Sequence, residues 1–211
     1  MPDASGWIRS ADLADQDIVQ ARAAGTAEAA RSEAPDDWQR PISILSHWSE
    51  TMQKITPFLW YSSQAEEAAK FYASIFPDSR VTRVVTMPTD SPSGPPGSVK
   101  VVEFVLFGQS FVAMSAGPLD PFNHAVSFVV NCTDQRDIDR YWAALLDGGS
   151  AEQCGWLKDR FGVFWQIVPT VLVDMMADPD PAKGKRAADA MMKMVKIDIA
   201  TLQAAYGGKA S

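Results

Sequence analysis

The stretch HAVSFVVNCTDQRDIDRYWAALLDGG, residues 124–149, decides the fold. Its first part, from His124 to Val130, has the composition and alternation of a strand. Asp134 then begins a helix, and Gly148-Gly149 ends it, because glycine ends helices without steric cost. The apolar face of this helix has the spacing i, i+3, i+4, i+7 and i+8, at Ile138, Tyr141, Trp142, Leu145 and Leu146. The stretch therefore predicts a strand followed by an amphipathic helix.

The same order occurs earlier in the chain. A strand is predicted from Ile55 to Tyr61, and a helix follows that has a capping-box spacing at Ser63 and Glu66 and is stopped by Pro77. Further strands are predicted at Arg80–Met87, Val99–Phe107 and Ser110–Ser115, with a tight hairpin connection at Gly108-Gln109. After the second helix, short strands are predicted near Ala151–Cys154, at Trp156–Lys158 and at Val163–Val168.

These two series predict an internal repeat of two βαβββ modules, at residues 54–116 and 122–169, within a domain spanning 52–169. Neither module can bury both faces of its own sheet. Pairing the modules buries the helical side of each and leaves the opposite sheet faces curved around a shared hollow. The predicted fold class is α+β, with the two modules forming a curved mixed sheet and a helical tail following at the C-terminus.

The two ends of the chain differ from this repeat. Residues 1–51 hold nine acids and four bases, and we predict an acidic appendage that is either loosely ordered or docked by its tryptophans. Residues 170–211 predict a helical tail that is interrupted at 178–181 and holds five of the nine methionines. An amphipathic helix outside a two-module sheet suits a subunit interface.

Charge and composition exclude several classes of protein. The net charge of -7 opposes general nucleic-acid binding, although five of those charges lie in residues 1–51 and the exclusion rests mainly on the predicted architecture. No apolar run is long enough to span a membrane, and the acidic N-terminus is unlike a secretory signal. Two cysteines, Cys132 and Cys154, are too few for a disulfide scaffold, and both are predicted to be buried neutral thiols. We predict a cytoplasmic protein with no membrane or nucleic-acid partner.

Several short words of sequence carry a family resemblance. They are ITPFLW at 55–60, EEAAKFY at 66–72, IFPDS at 75–79, CGWLKDRFG at 154–162, WQIVP at 165–169 and KIDI at 196–199. In this order and spacing the chain resembles the vicinal oxygen chelate superfamily of glyoxalases and bleomycin-resistance proteins. Within it the chain looks like the PhnB-like branch, often labelled 3-demethylubiquinone-9 3-methyltransferase. The resemblance covers about residues 52–208.

The resemblance implies where a metal would bind. Metal-dependent relatives use four ligands, from the first and last strand of each module. The matching positions here are Thr56, a residue near Met114, His124 and Gln166. Only His124 is a good ligand, so we predict no metal and no cofactor. Glu103 could assist if its side chain faces the hollow.

Strand alternation assigns a set of side chains to the hollow. We predict His124 and Gln166 as catalytic residues, with His124 suited to acid–base chemistry near neutral pH. The predicted ligand-binding residues are Thr56, Phe58, Trp60, Glu103, Phe104, Met114, Phe128 and Phe164, and Val126 shares their face. The set is apolar with a few polar groups, which is typical of small-molecule sites. Two alternatives stay open: the side chains fill the space completely, which Phe164 favours, and His124 is a structural residue.

The expected function is binding of a small hydrophobic or aromatic molecule by a PhnB-like protein. An enzyme of the lyase or isomerase type with a degraded metal site and a non-catalytic sequestering or sensing protein are both compatible with the residues. No strand–GxGxxG–helix word is present, so glycine spacing gives no support to a methyltransferase. The resemblance also implies a homodimer.

Overall fold

A computed structural model of the chain describes residues 54–118 and 120–208, so the predicted appendage at 1–51 lies outside the described residues. Module 1 comprises β1 (Phe58–Tyr61), α1 (Ala65–Ile75), β2 (Arg80–Thr86), β3 (Lys100–Leu106) and β4 (Gln109–Ser115). Module 2 comprises β5 (Phe128–Cys132), α2 (Gln135–Leu146), β6 (Ser150–Ala151), β7 (Trp156–Lys158) and β8 (Phe164–Pro169). The tail comprises α3 (Thr170–Met176), α4 (Pro181–Met191) and α5 (Ile199–Tyr206).

Each module forms a mixed sheet of four strands, and the two sheets have the same topology. The strand orders are β1-β4-β3-β2 and β5-β8-β7-β6. In each sheet the first and last strands of the module pair in parallel, and the remaining neighbours pair antiparallel. The predicted α+β class and the doubled βαβββ order are therefore confirmed.

The two module helices begin in different ways. In α2, the side chain of Asp134 accepts a hydrogen bond of 2.9 Å from the backbone N–H of Asp137, as expected for a cap at the predicted start. The capping box predicted for α1 is wrong: the N-cap residue is Gln64, and its side chain makes no capping hydrogen bond. Instead, the backbone N–H of Ala65 donates to Ser115 Oγ on β4 at 2.9 Å. The N–H at the start of α1 is thus satisfied by a side chain from another strand rather than by a capping residue.

The β3–β4 hairpin turns one residue earlier than predicted. Leu106 pairs with Gln109, so the two turn residues are Phe107 and Gly108 rather than Gly108 and Gln109. Both have left-handed backbones, with φ of 49° and 78°. Tight two-residue hairpins favour this conformation because its twist matches that of the strands, but it suits Asn and Gly far better than an aromatic residue.

The helix-covered sides of the two sheets meet in one hydrophobic core. Tyr72 of α1 packs against Trp165 of β8 with ring centroids 5.2 Å apart, and Phe111 of β4 packs against Phe128 of β5 at 5.4 Å. This burial of the helical sides agrees with the sequence prediction. Since these sides face each other, the opposite sheet faces are turned away from the shared core.

The C-terminal tail packs against this core and completes module 2. Its side chains Leu172, Ala187, Ile197 and Leu202 are buried. The backbone N–H groups of Cys154 and Gly155 donate to the carbonyl oxygens of Met194 and Val195 at 2.7 and 2.8 Å. Much of the apolar surface that suggested a subunit interface is therefore used within the chain. None of the helices in the described ranges is long and apolar enough to cross a membrane.

Candidate functional site

The open face of module 2 carries a cluster that we call the histidine cluster: His124, Glu152, Trp156, Phe164 and Gln166. His124 Nε2 lies 2.7 Å from Glu152 Oε2. The imidazole ring lies 4.0 Å from the Phe164 ring and 6.1 Å from the Trp156 ring, measured between centroids. Phe164 and Gln166 thus lie on one face of β8 with His124 over Phe164, and their roles in binding and catalysis stay predictions. The sequence did not single out Glu152 and Trp156.

Gln166 is tied to the segment before β5. Its Nε2 donates to Ser127 Oγ at 2.9 Å, and the amide side chain is half-buried. Alternation along β8 puts Phe164 and Gln166 on the same side of the sheet, and Gln166 pairs with Val129 across the parallel ladder. The amide carbonyl oxygen of Gln166 is thus left as an acceptor beside the aromatic rings.

The histidine–glutamate pair defines a proton position. A carboxylate at Nε2 favours the tautomer that carries its proton on that nitrogen, which leaves Nδ1 as an acceptor. No other hydrogen bond to the ring is found among the described residues. The imidazole can therefore take a proton from a bound molecule at Nδ1 while Glu152 stabilises the resulting cation. The His124 side chain is 61% exposed, so it is accessible from solvent.

The open face of module 1 carries most of the remaining predicted residues. Phe58, Trp60, Glu103 and Met114 lie on its side of the sheet, and Trp60 is directly paired with Met114. Phe58 is 55% exposed. Glu103 lies 3.9 Å from Arg83, and Trp60 Nε1 donates to the carbonyl oxygen of Gly117 at 3.4 Å. Thr56 precedes β1 and is half-buried in the connecting loop.

Two predicted ligand-binding residues face the core instead. Phe104 is 1% exposed and stacks on Phe111 with centroids 5.4 Å apart, so its predicted place in the hollow is wrong. Phe128 packs against Phe111 and Trp165 on the same core side. In β5 the residues Phe128, Val130 and Cys132 face the core, which is the opposite of the predicted alternation, and the strand begins at Phe128 rather than at His124.

The later start of β5 also changes the residues before the strand. His124 lies in a turn, and Val126 is 70% exposed outside any strand. Its predicted place on the inner face is therefore wrong. His124 still reaches the open face, but it does so by folding back over Phe164 rather than by strand alternation.

The two halves of the predicted hollow lie on separate sheet faces of one chain. Both faces are turned away from the shared core, and no aromatic contact or hydrogen bond among the described residues joins the histidine cluster to Phe58, Glu103 or Met114. The four positions at which the family resemblance implies metal ligands are divided in the same way. Thr56 and Met114 belong to module 1, whereas His124 and Gln166 belong to module 2. Within residues 54–118 and 120–208, no three His, Cys, Asp or Glu side chains come together as a metal site. The absence of a metal and a cofactor stays a prediction.

A buried carboxylate that the sequence did not single out joins the modules. Asp159 is 2% exposed and accepts hydrogen bonds from Tyr72 Oη at 2.7 Å, Trp165 Nε1 at 2.8 Å and the backbone N–H groups of Phe161 and Val163. Burial raises the pKa of this carboxyl, and the four donors oppose that rise. The sequence DRFG at 159–162 is typical of an exposed turn. Asp159 is buried only because of the tertiary structure around it.

The hydroxyl groups beside Asp159 are also shifted. Tyr61 Oη lies 3.3 Å from Tyr72 Oη. Burial raises the pKa of both tyrosines, so both stay neutral and act as hydrogen-bonding groups. Among the cysteines, Cys132 is buried as predicted, and burial raises the pKa of its thiol to about 12. Cys154 is only half-buried, and its Sγ lies 3.7 Å from Met192 Sδ.

The paired βαβββ modules have the architecture that the resemblance to the vicinal oxygen chelate superfamily implies. A sequence model described as 3-demethylubiquinone-9 3-methyltransferase matches residues 53–168, more than half of the chain. The chain therefore belongs to this PhnB-like family. Comparison with curated proteins gives no match.

Several solved structures are similar to part of this chain. The PhnB protein from Bacillus cereus is 31% identical, and the match covers 56% of this chain and 100% of that protein with a TM-score of 0.50. A protein from Staphylococcus aureus is 30% identical over 56% of this chain and 96% of its own, with a TM-score of 0.25. The fosfomycin resistance protein FosX from Mesorhizobium loti is 14% identical over 61% of this chain and 98% of its own, with a TM-score of 0.44.

Proposed function

We propose that this chain binds a small hydrophobic or aromatic molecule at the histidine cluster. The observation that carries the proposal is the half-buried Trp156 ring, which lies with the exposed imidazole of His124 and the half-buried amide of Gln166 on one sheet face, while Phe164 is buried beneath the imidazole. Apolar surface supplies affinity, and a few fixed polar groups supply orientation, as in most small-molecule sites.

The binding site is proposed to be completed by a second copy of the chain. One sheet face holds the histidine cluster, whereas the other holds Phe58, Trp60, Glu103 and Met114, and both faces are turned away from the core. A homodimer can bring the module 1 face of one copy against the module 2 face of the other, which would cover Phe58 and close the hollow. The family resemblance implies the same assembly.

The paired His124 and Glu152 favour acid–base chemistry at this site. A bound molecule with an acidic C–H or O–H group placed near His124 Nδ1 would lose its proton to the imidazole, and Glu152 would stabilise the imidazolium. This step suits a lyase or isomerase and needs no metal. Binding without turnover, as in a sequestering protein, is the second candidate. Binding without turnover is favoured because three of the positions at which the resemblance implies metal ligands, Thr56, Met114 and Gln166, carry weak ligands.

The dimer is tested by light scattering during size-exclusion chromatography of the full chain. We expect twice the 23.0 kDa mass of one chain. Phe58→Asp places a charge in the covered face and is expected to give the monomer mass. The matched variant Val173→Asp changes a side chain of helix α3 that is 58% exposed and belongs to neither sheet, and it is expected to leave the dimer intact. A monomeric wild-type chain contradicts the assembly.

Ligand binding is tested by thermal shift with a panel of small aromatic and aliphatic compounds. His124→Ala and Gln166→Ala are expected to weaken each hit by about tenfold, which corresponds to the loss of one ligand hydrogen bond. Gln153→Ala, an exposed residue near the cluster, is the control. Binding of every hit by both variants at wild-type strength would remove the histidine cluster as the site. S-adenosylmethionine is expected to give no shift, and a shift would favour the methyltransferase.

A further inference from the structure

The structure contains a concave space whose lining includes none of the histidine cluster residues and meets the cluster only at Ser127. It is a cleft of about 480 Å³ between the β3–β4 hairpin of module 1 and strand β5 of module 2. Its floor is made by Phe76, Leu106, Phe111 and Trp165, each of which is at most 7% exposed. We call this space the intermodule cleft. Its floor belongs to the core side of both sheets, so it does not include the face proposed above for ligand binding.

The chemistry of the cleft is apolar and uncharged. Phe107 and Phe128 add aromatic walls, and the polar groups at its rim are the amides of Gln109 and Asn131 and the hydroxyl of Ser127. Among the residues that the structure describes, no charged side chain lines it. Burying an ion there would cost free energy with nothing to compensate it, whereas a neutral ring can pack against the aromatic floor. The rim supplies neutral donors and acceptors for one polar group of the ligand.

The conformation of Phe107 is an independent indication. This residue holds the left-handed backbone of the hairpin turn, with φ of 49°, where Asn or Gly would fit without strain. Its ring is 50% exposed, and it lies 5.0 Å from the Phe76 ring and 5.9 Å from the Tyr141 ring. A strained turn therefore holds an aromatic side chain at the mouth of the cleft, half open to solvent.

From the volume, the uncharged lining and the position of Phe107, we propose that the intermodule cleft is a second binding site. Its ligand class is a single small, neutral, planar aromatic molecule that carries one hydrogen-bonding group. The volume lies in the range of typical small-molecule sites. The floor of this site shares no residue with the histidine cluster, and the two meet at the rim, where Ser127 Oγ accepts from Gln166 Nε2.

The test is calorimetric titration of the full chain at pH 7 with 2-naphthol, which is neutral at that pH. We expect one molecule bound per chain. The anion 2-naphthalenesulfonate, which has the same ring system, is expected to bind at least about tenfold more weakly, since its charge would be buried without a partner. Absence of 2-naphthol binding, or equal binding of the sulfonate, overturns the proposal.

Variants locate the bound probe. Gln109→Trp and Asn131→Trp each place a large ring at the rim from an exposed position, and each is expected to weaken 2-naphthol binding at least about tenfold. Gln203→Trp makes the same change at an exposed site on α5 and is expected to have no effect. His124→Ala is expected to weaken any 2-naphthol bound at the histidine cluster while the molecule bound in the cleft keeps its affinity. If both rim variants bind like the wild type, or if His124→Ala alone abolishes binding, the cleft is not the site.

Discussion

Module 1 builds β2, β3 and β4 from seven residues each, whereas the matching strands β6, β7 and β8 of module 2 have two, three and six residues. The short strands of module 2 compensate through the tail. Backbone carbonyls at Met194 and Val195 accept from Cys154 and Gly155, and the Gln135 side chain binds the backbone of Ile197 and Ile199. The two modules share one topology but are stabilised differently. Module 1 is stabilised by its own hairpin, and module 2 is stabilised by residues of the tail that follow it.

The largest effect is expected where the two modules are joined. Asp159→Ala removes the acceptor of four hydrogen bonds; the buried Trp165 Nε1–H and Val163 N–H lose their partner, whereas Tyr72 Oη keeps Tyr61 Oη beside it. Since each unsatisfied buried group costs about 1–3 kcal/mol, the two groups are expected to lower the free energy of unfolding by about 2–6 kcal/mol. Urea denaturation of the full chain measures it. Asp90→Ala, at an exposed loop position, is the control, and equal stability of both variants would contradict the role of Asp159.

The next effect tests the dependence of module 2 on the tail. Ile197 is fully buried, and Ile197→Ala is expected to lower the free energy of unfolding by about 2–4 kcal/mol. Hydrogen exchange is expected to accelerate in β7 and at Gly155 more than in β3, because the backbone contacts of the tail serve module 2 alone. Val195→Ala changes a side chain that is 42% exposed and serves as the control. Uniform acceleration in both modules would show that the tail supports them equally.

A smaller effect distinguishes the starts of the two module helices. Ser115→Ala removes the acceptor of the Ala65 N–H, and Asp134→Ala removes the acceptor of the Asp137 N–H. Each is expected to cost about 1 kcal/mol in urea denaturation. Ser63→Ala, at the residue that the capping-box spacing selects, is expected to cost almost nothing. A larger loss of unfolding free energy for Ser63→Ala than for Ser115→Ala would show that the capping box forms after all.

The smallest effect concerns the surface of module 1. Lys100 and Lys70, at 2.6 and 2.7 Å from the Glu66 carboxylate, lower its pKa to about 2. This folded pKa lies below the unfolded value of about 4.3. The ion pairs of Glu66 therefore add to the free energy of unfolding above about pH 4.3, and this stabilisation is lost as the pH falls toward 2. Glu66→Gln is expected to flatten the acid side of the stability–pH curve. Glu67→Gln is the matched control, and an identical curve for both variants would contradict the ion pairs.

The repeat of two βαβββ modules could be predicted because residues close together in the sequence specify its helices and strands. Helix α2 follows from the spacing of Ile138, Tyr141 and Leu145, and its start follows from Asp134. The start of β5 was not predictable, because the stretch from 124 to 132 alternates in composition either way and only pairing with β8 fixes its register. The cap of α1 was missed for the same reason, since Ser115 lies 50 residues away in sequence.

The candidate site was predictable in part. Alternation along β8 placed Gln166 and Phe164 together, whereas Glu152 became a partner of His124 only through the turn that precedes β5. Phe104 was assigned to the wrong face because Glu103 and Phe104 are adjacent in a strand, and the sequence left their alternation open. Asp159 escaped notice because a charged residue in a turn ordinarily faces water.

The close approach of the tail at Gly155 has a consequence for how the chain is made. Because translation proceeds from the N-terminus, β7 and β8 leave the ribosome before residues 194–199, so module 2 at first lacks these backbone partners. Module 1 has its own hairpin as soon as β4 has emerged. We therefore expect chains stopped after Lys193 to protect β3 and β4 from protease while β6 and β7 are cut, whereas chains that reach Tyr206 protect both modules. Residues 194–199 would then fix the second half of the repeat only after its strands have been made.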